Sequence, residues 1–345
     1  MKIGMRHGAG GEAMESVIKD VFLAKFSRNF GEVPLEMLDD AAVVNGVAIT
    51  TDSYTVKPIF FPGGDIGRLA VCGTVNDLLM IGAKPVALSN GMVVEEGFEM
   101  EKLRTIAESM ASAAQEAGVH IVTGDFKVVE RGGVDEVIVN TSGMGRRHPL
   151  LDGNFEGLGR KPRVPWLADA NVSDGDKIIV SGYIGDHGVA VLSGREGVGF
   201  ETTVVSDVMP LNRVMETALR AGGVAAAKDP TRGGLAEILN EWAAKSGCGI
   251  YIRESDIPIR EEVLSACEFL GIDPLTIGNE GKAVLAVAPH RAEDVLEALR
   301  RTPGGENAAI IGEVRKDLEF VVMETGVGGK RIVERPIGDP VPRIC

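Results

Sequence analysis

The sequence lacks the marks of several protein classes. Its four cysteines, Cys72, Cys248, Cys267 and Cys345, fall at no metal-ligand spacing such as C-x-x-C. So few thiols fit a reduced, cytoplasmic setting. Positive charge is scarce: 36 Lys and Arg stand against 50 Asp and Glu, a formal net charge of −14, and no stretch gathers the basic residues. That field argues against nucleic acid or an anionic membrane as a partner and leaves small molecules and proteins. The best membrane candidate, Leu69 to Leu88, is broken by Asn76, Asp77 and Lys84 and is too polar to span a bilayer. The opening residues MKIGMRHGAGGEAM pass into glycines rather than an apolar run, so no signal peptide is expected. A GxxxxGK(S/T) phosphate loop is missing as well.

What is present is a chain of 345 residues, 44% hydrophobic and 25% charged, long enough for two α/β domains. In the first half, Asn45-Gly46 between two β-branched runs signals a hairpin. A helix over about 65–81, a strand through PVALSNGMVV, a helix over 99–117 closed by Gly118, and strands HIVTGDFKVV and EVIVNTSGM follow. Residues 147–173 read as a linker. The second half resumes with strands KIIVSG, GIYI, KAVLAVA and AAIIGEV and with helices near 186–192, 210–221, 235–246, 260–270 and 291–301. The expected division is 1–150, 151–333 and a flexible tail, 334–345. In that tail Pro336, Pro340 and Pro342 forbid a regular helix. At about 3.1 Å per residue it reaches roughly 35 Å, with a thiol at its last residue, Cys345.

Several aspartates sit where carboxylates are costly. Asp77 falls on the apolar stripe of its helix, unless it caps a new helix at Leu78. Asp40 and Asp52 lie near the ends of the two hairpin strands, where both could meet one cation or simply face solvent. Asp125 and Lys127, two apart on a strand, share a face and read equally as a surface pair. Asp229 in KDPTRGGL precedes a helix start, and Gly10 and Gly11 in HGAGG precede another; each suits a phosphate or a plain cap. Carboxylates recurring beside candidate phosphate sites suggest Mg²⁺.

The motifs DDAAV, TTD, VNDLLMIGAKP, VTGD and KDPTRGGL, in that order, resemble the PurM-like (aminoimidazole ribonucleotide synthetase) superfamily. With HGAGG, GNEGK and the final PRIC, the chain resembles the HypE-type carbamoyl dehydratase family of nickel–iron hydrogenase maturation factors, over nearly its whole length. The resemblance implies a two-domain PurM-like fold that forms a homodimer in the cytoplasm and binds ATP and Mg²⁺. It implies Asp40, Asp77 and Asp229 as metal ligands, Asp52 and Asp125, with Gly10 and Gly11, at the nucleotide, and Lys127, Glu280 and Cys345 as catalytic residues. It further implies a carbamoyltransferase partner, HypF, that loads Cys345, and a HypC–HypD complex that accepts the cyanide on iron. Two alternatives stay open: a nucleotide-binding scaffold with a docking tail, and another phosphorylating enzyme of the superfamily. A selenophosphate synthetase would need a reactive residue near the N-terminus, and no cysteine precedes Cys72.

Overall fold

The computed structural model describes residues 2–8, 10–26, 29–195, 197, 200–338 and 341–345. After α1 (Gly11–Val17) and a π-helical turn (Ile18–Leu23), the chain enters a hairpin of β1 (Ala42–Val44) and β2 (Val47–Tyr54). Asn45 and Gly46 turn it at φ 52° and 73°, the pair of left-handed residues that matches the twist of the flanking strands. A two-stranded flap, β3 (Phe60–Phe61) and β4 (Gly64–Asp65), leads into α2 (Ile66–Met80). The Asp65 carboxylate caps this helix by accepting from the amides of Gly67 (2.7 Å) and Arg68 (3.2 Å), an arrangement worth about 1 kcal/mol. Then come β5 (Ala83–Glu95), α3 (Met100–Ala117) with Gly118 at φ 67°, β6 (His120–Val129) and β7 (Val137–Arg147). The sheet order is β1-β2-β7-β5-β6, with only β5 and β6 parallel. α2 is buried on nearly every side, as befits a helix apolar all round.

The second half opens with α4 (Leu151–Glu156) and continues through β8 (Lys177–Val180), α5 (Asp186–Ser193), α6 (Asn212–Ala221), β9 (Val224–Lys228) and α7 (Gly234–Ser246). It closes with β10 (Gly249–Arg253), α8 (Glu261–Leu270), β11 (Val284–Val287), α9 (Ala292–Arg300), β12 (Ala309–Arg315), β13 (Val321–Glu324) and β14 (Lys330–Ile332). These strands form one seven-stranded sheet in the order β14-β13-β10-β12-β8-β11-β9.

Three expectations change. Residues 147–173 are not a free linker: Leu151, Leu158, Val164, Trp166 and Leu167 are buried, and the Leu167 amide donates to Ile81. Apolar anchors outweigh the Gly and Pro content that suggested a loop. Strands β9, β13 and β14 were not anticipated; VAAAK of β9 is buried at every position and so carries no alternation to read. Finally, the arm expected at 334–345 is laid down on the body at its far end, where Val341 and Ile344 are buried.

Candidate active site

One cavity of about 340 Å³ gathers residues from both halves. β2 supplies Thr50, Thr51 and Asp52; α2 supplies Asp77; the loop before β1 supplies Asp40; the end of β9 supplies Lys228 and Asp229; and the glycine turn before α1 supplies Gly10 and Gly11. Six of the residues singled out in the sequence therefore meet: Gly10, Gly11, Asp40, Asp52, Asp77 and Asp229. Asp77 does not start a new helix but lies inside α2, where its carboxylate accepts from the Thr50 hydroxyl (2.7 Å). The neighbouring turn of the helix is glycine because a Cβ at Gly73 would stand 2.3 Å from the Tyr54 hydroxyl. That hydroxyl donates to Asp52 (3.4 Å).

The cavity is electrostatically unsatisfied. Burial pushes the carboxyls of Asp40 and Asp77 well above their ordinary range, and neighbouring carboxylates push them further: Asp229 acts on both. Burial and the charge of Asp52 lift Asp229 to about 7. Lys228 remains charged although buried, because Asp169, Asp40 and Glu241 surround it. Among the described residues no trio of His, Cys, Asp or Glu is gathered tightly enough to hold a metal unaided. Separate carboxylates with raised affinity for protons fit Mg²⁺ nonetheless, since that ion takes one or two carboxylates and completes its octahedron with phosphate oxygens and water.

Gly11 of HGAGG and the residues Asn279 to Gly281 of GNEGK have clear packing reasons. A Cβ at Gly11 would meet the Pro336 carbonyl at 2.3 Å, and one at Gly281 would meet the Asp207 carbonyl at 1.8 Å. Asn279 fixes the GNEGK turn by accepting from the Gly185 amide (2.7 Å) and donating to the Pro230 carbonyl (3.2 Å). Glu280 is thereby held in the interior, its amide donating to Asp207 (3.0 Å). Burial raises the Glu280 carboxyl well above its usual range; Asp229, Asp207 and Asp52 add to the rise and Arg232 opposes it.

Arg232, in the TRGG turn, is the residue the sequence reading passed over. It lines the carboxylate cavity and also a second cavity of about 630 Å³ that holds Ile344 and Cys345. Cys345 contributes most to keeping Arg232 charged, against the cost of burial, and Asp52 and Glu280 add to it. Arg232 therefore borders both the carboxylate cavity and the docked end of the chain, and its charge acts on the interior glutamate. The available signal was a cation one turn from an aspartate, indistinguishable in sequence from a helix-start residue.

Asp125 and Lys127 are not brought to this cavity. They pair with each other (2.5 Å) on the exposed surface of β6. Nearly all of that edge strand is exposed, including Ile121, Val122, Phe126 and Val128.

The fold and this junction define the class of protein. Residues 38–147 match the family model for the N-terminal domain of AIR synthase related proteins, and residues 173–324 match that for the C-terminal domain; the chain belongs to this family. Within it, the chain is a member of the HypE carbamoyl dehydratases. The carbamoyl dehydratase HypE of Bradyrhizobium diazoefficiens is 45% identical over 99% of this chain and 96% of its own. A HypE solved in complex with ATP is 44% identical, with a TM-score of 0.80 over the whole of both chains. HypE from a crystal structure of a HypE–HypF complex is 47% identical, with a TM-score of 0.84 over 93% of this chain and all of that one.

Proposed function

We propose that this chain uses ATP to dehydrate a thiocarbamate, S–C(=O)–NH₂, carried on its own Cys345, giving a thiocyanate, S–C≡N, that supplies cyanide to the iron of nickel–iron hydrogenase. The observation that carries the reading is the position of Cys345 at Arg232, the shared wall of the tail cavity and the carboxylate cavity. The chemistry needs both compartments. Oxide is not a leaving group, so the carbamoyl oxygen must first attack the γ-phosphate of ATP; ADP departs, and the phosphorylated oxygen then leaves as phosphate while two protons leave nitrogen. The products are thiocyanate, ADP and phosphate.

Each residue then has a task. Arg232 balances the negative charge that gathers where the thiocarbamate oxygen meets the phosphoryl group. Glu280 takes a proton from the –NH₂ group, its raised proton affinity making it a stronger base than an ordinary carboxylate once ionised. Asp40, Asp77 and Asp229 would hold Mg²⁺, which would supply charge neutralisation of the triphosphate; Asp52, Gly10 and Gly11 line the nucleotide's place. Lys127 and Asp125 lie on an edge strand with an exposed apolar face, which supports a homodimer in which β6 of one protomer packs against the other. In that assembly the Lys127–Asp125 pair stands at the interface and can serve the partner protomer's site. A HypF-type transferase loads the thiol, a HypC–HypD-type iron carrier receives the cyanide, and the cytoplasm is the compartment.

The test is the intact mass of the protein after carbamoylation by the transferase and then addition of Mg-ATP, beside Cys345→Ala. Gain of one carbamoyl group and ATP-dependent loss of one water, both missing in the variant, are expected. Loading without loss of water would reduce the chain to a carrier.

A further inference from the structure

The last residues are held by more than their thiol. Segment 55–57 binds them as an added strand would: the Thr55 amide donates to the Cys345 main-chain oxygen (3.0 Å) and the Lys57 amide to the Arg343 carbonyl (3.1 Å). The Arg343 Nε donates back to the Thr55 carbonyl (2.8 Å). Between these contacts the Ile344 carbonyl turns inward to the Nε2 of the fully buried His187 on α5, 2.9 Å away. A carbonyl can only accept, so Nε2 carries the proton and Nδ1 must accept; the Ser206 hydroxyl, 2.7 Å from Nδ1, provides that proton. Ser206 is fixed in turn, its Oγ accepting from the Val208 amide (3.1 Å) and its own amide donating to Pro62 (2.8 Å). Phe61 meets the imidazole edge-on at 5.4 Å.

The Ile344 side chain has a fitted place. It packs with Leu192 and Val341. Its Cδ1 lies where a Cβ on Gly188 or on Gly278 would stand only 3.0 or 3.2 Å away. The nearest neighbours of such a Cβ, the Ile277 Cγ2 at 2.2 Å from Gly188 and the Thr231 carbonyl at 2.7 Å from Gly278, already demand glycine at both positions, and the space so kept borders the Ile344 side chain. Main-chain bonds supply affinity in this mode of strand addition, and side-chain pockets supply selectivity.

We propose that His187, Ser206, Gly188 and Gly278 form a sequence-selective socket for Ile344, and that His187 is the positioning residue that sets Cys345 beside Arg232. The proposal rests on the dehydratase reading for its purpose, but docking itself can be tested apart from chemistry. His187 lines neither the carboxylate cavity nor the Cys345 cavity, so its substitution should leave nucleotide affinity unchanged.

The experiment uses the full chain as His187→Ala, His187→Gln, Ile344→Ala and Ile344→Val. Two readouts are taken: the rate of tryptic cleavage at Arg343–Ile344 in the unloaded protein, and the single-turnover rate of dehydration after loading. Losing a buried hydrogen bond, or the filling of the socket, should speed cleavage and slow dehydration by roughly tenfold in His187→Ala and Ile344→Ala. Glutamine retains a donor for the carbonyl and valine retains most of the volume, so His187→Gln and Ile344→Val should recover much of both. Ile344 is buried but belongs to the docked tail and to none of the sheets, so its variants test the socket while the sheets keep all their residues. Wild-type cleavage and dehydration in Ile344→Ala would overturn the socket. Protection of the tail in the wild type without any dehydration would leave the socket standing and remove the dehydratase reading.

Discussion

Glu280 combines two properties that pull in opposite directions, and the conflict yields a prediction. A base must be ionised, yet burial and three nearby carboxylates favour its protonated form. The dehydration rate should therefore climb with pH until Glu280 is ionised, with that rise displaced upward from the ordinary glutamate range, and Glu280→Gln should keep the loaded thiocarbamate while losing turnover by at least about a hundredfold. A flat profile, or a Gln variant that turns over normally, would move the base elsewhere. At this scale the sequence was legible where motif and chemistry coincided: Asp40, Asp52, Asp77 and Asp229 do converge on one cavity. Arg232 and His187 escaped because their partners, Cys345 and the Ile344 carbonyl, lie more than a hundred residues away and meet them only through the docked tail. Cys72 and Cys267 give no competing nucleophile of note: burial lifts Cys72 to about 12 and Cys267 to about 11.

At the scale of elements, the cavity between β2, α2 and β9 couples cation binding to stability. A carboxyl whose folded-state pKa is raised stabilises the fold below its unfolded value, and that contribution is lost as pH rises through the folded value. With Asp229 at about 7 and Asp39, which lines the same cavity, at about 8, the metal-free protein should lose thermal stability between pH 6 and about 8.5, by several degrees in Tm. Mg²⁺ should restore more at the upper end than at pH 6; an equal shift at both, measured by calorimetry, would contradict the placement of the ion among these carboxylates. Elements with strong local signals were readable: the Asn-Gly hairpin, the 3.6-residue stripe of α3 and its glycine stop. β9 was not, since an alanine-rich strand buried on both faces shows neither helical nor strand period. β14 is only three residues long and all of it is exposed, so its sequence shows neither alternation nor an apolar run.

At the scale of the whole molecule, the exposed β6 edge carries Phe126 and Val128 beside Lys127. An apolar edge strand of that length invites pairing. If two copies meet there, Phe126→Asp should halve the mass seen by sedimentation and lower dehydration, because the interface carries Lys127; a dimer that survives the substitution would place the contact elsewhere. Domain-scale organisation was legible from the two α/β textures, but the packing of residues 147–173 was not, because anchors such as the Leu167 amide on the Ile81 carbonyl join residues far apart in the chain.

The central claim is that ATP activates the oxygen of a thiocarbamate on Cys345. Loading the protein with a carbamoyl group whose carbonyl carries oxygen-18, adding Mg-ATP in ordinary water and weighing the released phosphate tests it most directly. The account predicts one heavy oxygen in each phosphate, in equal number to the thiocyanate formed. Unlabelled phosphate accompanying thiocyanate would show that the oxygen leaves by another route and would contradict it.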